Sequence, residues 1–297
     1  MYLTHIAKRE GKLLSFLRGE LALSSGLVKR MKYNHAFSVN GQCVYTNFPV
    51  KVGDLIGVCL DEATPVYPAE DAPLQILYED DALLTVDKPA GMPVHPSHTR
   101  NTGTLANRLT SYYQRTGQAC AVHPVGRLDR DTFGVVLLAK NAHVHALLCG
   151  MSKAGQIRKT YRAAVYGCPP SETGIVDAPI ARIAPTGMLR CIRSDGKPAR
   201  SEYRLLARRG EASLLELHPV TGRTHQLRVH CAHLGCPILG DPQYGSAEST
   251  AFSALHGIEG QQLCAVSLRF LHPMTQNPME ICSAMEISLD FPHPADV

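Results

Sequence analysis

The sequence contains no apolar run that approaches the roughly 20 residues of a membrane-spanning helix. Its first residues, MYLTHIAKREGKLLSFLRGE, carry charge throughout and lack the apolar stretch of a secretion signal. Ten cysteines are present without a C-x-x-C pair, which argues against a zinc knuckle or a thioredoxin-like redox motif. We therefore expect reduced, mostly buried cysteines in a cytoplasmic protein that does not bind membranes.

The composition is that of a globular protein with a sizeable core. The 297 residues are 44% hydrophobic, and they contain no internal repeat or low-complexity stretch. Charge is unevenly distributed, because residues 1–60 hold eight Lys or Arg and three Asp or Glu, whereas the remainder is nearly neutral. A basic front end is typical of a nucleic-acid-binding appendage, although a solvated helical face would look the same on charge alone.

The first 62 residues form a predicted unit of their own. Two segments have helical spacing, LLSFLRGEL and SSGLVKRMKYN, and Ser24 and Ser25 are candidate N-caps of the second. Alternating residues around Asn40-Gly41 then predict a hairpin. Residues 63–73 are rich in proline and acids, which indicates an interdomain linker.

Residues 74–297 are predicted to form an α+β domain with a mostly antiparallel sheet flanked by helices. The strand candidates include GVVLLAK, KTYRAAVYG, RSEYRLLARRG and SLLELHPV. Three segments are predicted helices, namely GTLANRLTSYY, NAHVHALLCGM with Asn141 as its cap, and HQLRVHCAHLG with Gly235 at its end.

Three positions are candidates for chemistry. Asp129 lies in a charged turn directly before an apolar strand, where it is either a functional carboxylate or one member of a surface ion pair with Arg127 or Arg130. Arg228 flanks the apolar stripe of the last predicted helix, so its guanidinium either requires a buried acid or snorkels to solvent. Tyr161 alternates with Ala163 on one strand face and by itself indicates a core tyrosine.

Metal chemistry is disfavoured by the spacing of the histidines. His225, His230 and His233 are five and three residues apart, which is not the i, i+4 pair of a metallohydrolase helix. We therefore predict no metal site.

Taken together, these segments resemble the RluA-type pseudouridine synthases, and in particular the RluD-like members with an N-terminal S4-like domain. The motif on which this resemblance mainly rests, H/G-R-L-D-x-x-T-S-G, appears here as GRLDRDTFG. Around it, in the family's order, stand ILYEDDALLTVDKPAGMPVHP, GTLANRL, KTYRAAVYG, GKPARSEYRLL and GRTHQLRVHCAHLGCPILGDPQYG. The resemblance covers residues from Leu74 to the C-terminus, and residues 1–62 resemble the S4 RNA-binding module.

Two positions depart from the family's motif. Gly126 replaces the usual histidine before R-L-D, and Phe133 replaces the usual serine of T-S-G. Neither is the family's catalytic residue, so both departures concern the choice of substrate more than the reaction.

The resemblance implies a pseudouridine synthase fold and the isomerisation of specific uridines in structured RNA to pseudouridine, without a cofactor. Asp129 matches the family's catalytic aspartate, acting as nucleophile or as base at the ribose. Arg228 matches the guanidinium partner that keeps it ionised, and Tyr161 matches the active-site tyrosine that stacks on the base.

RNA is the implied partner of a monomeric enzyme, with ribosomal RNA the expected substrate and transfer RNA the alternative. The residues expected to contact RNA are Arg127, Arg223, His225, Lys29, Arg30 and Lys32. For Arg127 a simple ion pair in the loop is the alternative. Two rival classes are a non-catalytic RNA-binding or ribosome-assembly protein and a metal-dependent hydrolase.

Overall fold

The computed structural model describes residues 1–32, 34–60, 67–97, 100–184 and 186–291. The helices are α1 (Leu13–Arg18), α2 (Ser25–Met31), α3 (Leu105–Arg115), α4 (Ala142–Lys153), α5 (Gln226–His233) and α6 (Ala247–Leu255). The strands are β1 (Tyr2–Ile6), β2 (Gly11–Lys12), β3 (Phe37–Val39), β4 (Gln42–Cys43), β5 (Pro49–Val50), β6 (Leu55–Cys59), β7 (Gln75–Glu79), β8 (Leu83–Lys88), β9 (His123–Pro124), β10 (Phe133–Ala139), β11 (Arg158–Tyr166), β12 (Thr173–Asp177), β13 (Ile180–Arg182), β14 (Arg190–Ile192), β15 (Arg200–Arg209), β16 (Ala212–Pro219), β17 (Leu263–Leu271) and β18 (Pro278–Cys282).

The N-terminal unit is a small sheet with two short helices. Its four antiparallel strands follow the order β1-β6-β3-β4, and a core that includes Phe16, Val28 and Ile56 lies beneath the helices. The Ser24 hydroxyl accepts the Leu27 N–H at 3.2 Å, which confirms it as the N-cap of α2. The predicted hairpin is also confirmed, because Asn40 and its following glycine form the turn between β3 and β4.

The segment 67–73 lies against α3. The Pro68 carbonyl accepts from Asn107 Nδ2 at 2.8 Å, and Arg108 Nη1 donates to the Pro73 carbonyl at 3.0 Å. Part of the predicted linker, residues 63–66, lies outside the described residues. So do 61–62 and 292–297 of the predicted domains.

The larger unit, from β7 onward, is built on one mixed sheet of ten strands. Its order is β12-β15-β16-β11-β17-β10-β8-β7, with β18 paired to β17 and β9 paired to β10. Every pairing is antiparallel except that of β10 with β17. This confirms the predicted α+β class and mostly antiparallel sheet.

The predicted helices and caps of this unit are also present. Asn141 caps α4 by accepting the Val144 N–H at 2.9 Å. Gly235 follows α5 with φ of +77°, the left-handed conformation expected at a helix end. No helix among the described residues is long and apolar enough to cross a membrane.

All ten cysteines are free, as predicted, but the expectation that most are buried is wrong. Only Cys231, Cys236 and Cys264 are buried. Cys282, for example, lies on β18 at the margin of the sheet, where its side chain is exposed.

Candidate active site

A cavity of about 750 Å³ opens where the loop before β10 meets the middle of β11 and the start of α5. It brings together six of the residues predicted from sequence, although they come from three distant parts of the chain. These are Arg127, Asp129, Tyr161, Arg223, His225 and Arg228.

The loop that carries Asp129 is held in place by hydrogen bonds from the buried Lys88. Lys88, at the end of β8, donates from Nζ to the carbonyls of Pro89, Met92 and Arg130 at 2.9, 2.8 and 3.0 Å. All three ammonium protons are thereby used. Burial lowers the pKa of Lys88 to about 8, although the carboxylates of Asp131 and Asp129 oppose that shift.

At its C-terminal end the same loop is held close to β17, because the backbone of Gly134 packs directly against that of Ala265. Gly134 has φ of +106°, and a Cβ there would lie 2.3 Å from the Ala265 carbonyl oxygen of β17. Only glycine fits this position. Its neighbour Phe133 packs into an apolar cluster with Leu239 and Cys264 and does not line the cavity, so this departure from the family motif has a packing role.

Asp129 itself is partly exposed, with 23% of its side-chain surface accessible. Its Oδ2 lies 3.5 Å from Arg228 Nη1 and 3.9 Å from His225 Nε2. Arg130 pairs instead with Asp131 at 2.8 Å. The ion pair of Asp129 with Arg127 or Arg130 that the sequence left open is therefore not formed among the described residues.

Arg228 is buried, and its principal partner is a carboxylate that the sequence analysis missed. Its Nε and Nη2 donate to the two oxygens of Asp241 at 2.7 and 2.8 Å, and Nη2 also reaches Gln243 at 2.8 Å. The Asp241 side chain has no accessible surface. Burial acts to lower the pKa of Arg228, but the bond to Asp241 outweighs it and raises that pKa. The guanidinium of Arg228 is thus held by Asp241, and its Nη1 faces Asp129.

His225 is oriented by a short chain of hydrogen bonds. The Arg190 backbone N–H donates to the Tyr244 hydroxyl at 2.9 Å, and that hydroxyl lies 2.7 Å from His225 Nδ1. Having accepted one hydrogen, the hydroxyl is placed to donate its own to Nδ1, so the ring proton belongs on Nε2, facing Asp129. Burial lowers the pKa of His225 although Asp129 opposes it, which keeps the imidazole neutral. Its φ of +57° is a strained value for a non-glycine residue.

Tyr161 reaches the cavity because β11 changes register beside it. The pairing of β11 with β17 shifts between Thr160 and Tyr161, and such bulges re-aim side chains. The ring also packs against the cluster that contains Leu217 and Leu227. Burial and, secondarily, the Asp129 charge raise the pKa of Tyr161, so its phenol stays protonated. Tyr161 is therefore both a core residue and a cavity residue.

The two arginines at the mouth of the cavity differ in their contacts. Arg127 is exposed and forms no ion pair with any described residue, so the alternative of a simple loop ion pair is not observed. Arg223 is exposed as well, and its Nε donates to the Pro198 carbonyl at 2.9 Å.

The remaining predicted RNA contacts lie elsewhere. Lys29 and Arg30 are exposed in the last turn of α2, and Lys32 follows as its C-cap, so none of the three lines the cavity. In the described part of the chain, no group of three or more His, Cys, Asp or Glu side chains is arranged to hold a metal ion.

Acidification is expected to destabilise the fold through buried histidines. Burial lowers the pKa of both His225 and His230 below the ordinary value of 6.5. At a pH between the lower folded-state pKa and the unfolded-state pKa of these histidines, the unfolded chain binds more protons than the folded one. The free energy of unfolding is therefore highest above about pH 6.5 and decreases as the pH falls below that value. Urea unfolding at a series of pH values from 7.5 to 5 measures this. Replacing His230 with Asn should flatten the dependence, and an unchanged slope would contradict the assignment.

Comparison with known proteins gives the family. Residues 82–233 match the RNA pseudouridylate synthase family. The uncharacterised RNA pseudouridine synthase YjbO of Bacillus subtilis is 36% identical over 264 residues, which cover 88% of this chain and 91% of that protein. The ribosomal large subunit pseudouridine synthase D of Xanthomonas campestris is 39% identical over 231 residues, covering 75% and 69%. The solved structure of human RNA pseudouridylate synthase domain containing 1 has a TM-score of 0.59 and 26% identity, covering 74% of this chain and 86% of that one.

The chain therefore belongs to the RNA pseudouridylate synthase family and is an enzyme of the RluA type, as its motifs predicted.

Proposed function

We propose that this enzyme isomerises specific uridines of ribosomal RNA, with Asp129 as the catalytic residue and without a cofactor. The observation that carries the proposal is the position of the Asp129 carboxylate. It lies in the cavity wall, with Oδ2 3.5 Å from the buried guanidinium of Arg228, and no other described polar side chain lies closer to that oxygen. It is thus available to a nucleoside that enters the cavity.

The reaction breaks the bond between N1 of uracil and C1′ of ribose and forms a bond between C5 and C1′. The proton on C5 leaves and N1 gains one, so the product is an isomer and there is no net oxidation or reduction. Asp129 acts on the nucleoside as an ionised carboxylate. Arg228 stabilises that ionised form, and Tyr161 supplies an aromatic face and a protonated hydroxyl beside the base.

The base must leave its stack to reach Asp129. Extruding a nucleotide costs on the order of a few kcal/mol, and less when it is already unpaired. Arg127 is placed at the cavity mouth, where its exposed guanidinium can hold the displaced strand. Arg223 and His225, which also line the cavity, complete its proposed RNA contacts.

The choice of ribosomal RNA is supported by the similarity to the ribosomal large subunit pseudouridine synthase D of Xanthomonas campestris. The test is carbodiimide mapping of pseudouridine in total RNA from cells with and without the gene. We expect a large-subunit ribosomal site to vanish and to return with the wild-type gene but not with Asp129→Asn. Loss of a transfer RNA site instead would contradict the substrate. An unchanged pseudouridine map would contradict the function and favour a non-catalytic role.

We further propose that residues 1–62 are an S4-like RNA-binding module joined by residues 63–73 to a catalytic domain of residues 74–297. The support is the basic face of α2, which bears Lys29 and Arg30 on its exposed side with Lys32 directly after it.

Neutralising that face should weaken RNA binding without changing the reaction. The triple variant Lys29→Gln/Arg30→Gln/Lys32→Gln should lower the slope of log affinity against log salt by up to about 2, because each lost phosphate contact removes roughly 0.7. Filter binding of the target RNA over a KCl series measures the slope. The exposed Lys51→Gln on the same unit is the matched control. Equal slopes for the triple variant and the control would contradict the binding role.

A further inference from the structure

The cavity contains a cation for which the reaction described above gives no role. Lys159 lies two residues before Tyr161 on β11, and both side chains line the cavity. Lys159 also lines a small neighbouring recess together with apolar residues that include Val125, Ile157 and Leu268. No described residue accepts a hydrogen bond from its Nζ or forms an ion pair with it. The residue is half-buried, so its ammonium faces the open cavity and is free to bind an anionic group of a ligand there.

The missing side chain at Gly126 makes room for this ammonium. A Cβ on Gly126 would lie 3.3 Å from Lys159 Nζ, and the φ of +89° there disfavours any other residue. The family motif usually has a histidine at this position. In this chain the ammonium lies instead directly against the backbone from which the catalytic loop begins.

The charge of the cavity favours an anion. Its lining includes five basic side chains and two acidic ones, namely Arg127, Arg158, Lys159, Arg223 and Arg228 against Asp129 and Glu202. Arg228 is already neutralised by Asp241. The surplus of positive charge therefore lies with the other basic residues, and of these Lys159 has the most buried position.

We propose that Lys159 binds a backbone phosphodiester of the nucleotide whose base enters the cavity. This inference rests on the proposed function and adds to it a named contact with the substrate. A lysine is a point charge that binds phosphate without demanding a fixed geometry. Burial lowers the pKa of Lys159, and a bound phosphate would oppose that shift. Because β11 is a central strand, the ammonium would fix the ribose-phosphate relative to Asp129.

Binding of single-stranded oligouridylate tests the proposal, because this probe offers uridines and phosphates along its whole length. Fluorescence anisotropy over a KCl series, with Asp129→Asn in every protein to prevent turnover, gives the salt slope. Lys159→Met should weaken binding and lower the slope by about 0.7, the value for one phosphate contact on a single strand. Lys159→Arg should keep the slope. Lys197→Met, an exposed lysine outside the cavity, is the matched control.

An unchanged slope and affinity for Lys159→Met would overturn the proposal. So would a loss of kcat with unchanged RNA affinity in proteins that retain Asp129, since Lys159 would then act on the reacting base. We expect the greater change in KM. These outcomes are distinct from failure of the proposed function, which would appear as absence of pseudouridine formation by the wild-type enzyme.

A double-mutant cycle with Gly126→Ala tests the contact itself. Alanine would strain the backbone in either background, but it would crowd the ammonium only where Lys159 is present. The loss of oligouridylate affinity caused by Gly126→Ala should therefore be smaller in Lys159→Met than in the parent. Equal losses in both backgrounds would overturn the proposed placement of the ammonium.

Discussion

Replacing Asp129 with Asn should reduce the rate of pseudouridine formation by at least about 10⁴-fold, as expected when a residue that carries out the chemistry is removed. An amide is neither a nucleophile nor a base under these conditions. The fold should be retained, because the Asp129 side chain is 23% exposed and its contact with Arg228 is a long one of 3.5 Å. Single-turnover kinetics on RNA from cells that lack the gene measure the rate, and urea unfolding measures the stability.

Asp131→Asn is the matched control for this experiment. It removes a carboxylate two residues away that pairs with exposed Arg130 at 2.8 Å and does not line the cavity. Its rate should stay close to that of the wild type. If Asp129→Asn also retained a normal rate, Asp129 could not be the catalytic residue.

Replacing Arg228 with Ala should destabilise the protein by about 3–5 kcal/mol and abolish most activity. The stability loss arises because Asp241, which has no accessible side-chain surface, would be left as an unpaired buried carboxylate. The activity loss arises because Asp129 would lose its cationic neighbour. The control is Arg269→Ala, which breaks an exposed pair with Glu280 and should change the free energy of unfolding by less than about 1 kcal/mol.

A second variant separates the two roles of Arg228. In Arg228→Ala/Asp241→Ala no buried carboxylate is stranded, so the double variant should be more stable than Arg228→Ala alone while remaining inactive. Recovery of activity together with stability would show that Arg228 supports the fold only. Urea unfolding and single-turnover rates on the same preparations distinguish these results.

Much of this candidate site could be located from the sequence because its residues carry local signals. Asp129 lies in a turn before an apolar strand. Arg228 lies on the edge of a helical stripe, where a guanidinium either requires a buried acid or snorkels to solvent. The sequence did not show whether that acid is Asp129 or Asp241. Asp129 is 99 residues from Arg228 and Asp241 is 13 residues away, and only the packing of α5 against the following loop gives Asp241 the two shorter bonds.

Other parts of the site have no sequence signal of their own. Lys88 ends an apolar strand, where a lysine ordinarily indicates an exposed strand end, yet its three acceptors are backbone carbonyls that no residue type reveals. Tyr244 depends on an N–H from Arg190, 54 residues earlier. The five predicted helices lie within a few residues of the observed ones, since caps such as Asn141 are local features, but α6 was not predicted.

The three hydrogen bonds of Lys88 also restrict the movement of the loop that carries Asp129. Lifting the loop away from β8 would leave a fully buried ammonium without one of its acceptors, a penalty absent from ordinary surface loops. Opening of this segment therefore belongs with rare, large-scale fluctuations of the sheet and not with the fast motions of exposed turns. Under the proposed function, we therefore expect the Asp129 carboxylate to stay in place and the conformational change on binding to fall on the RNA.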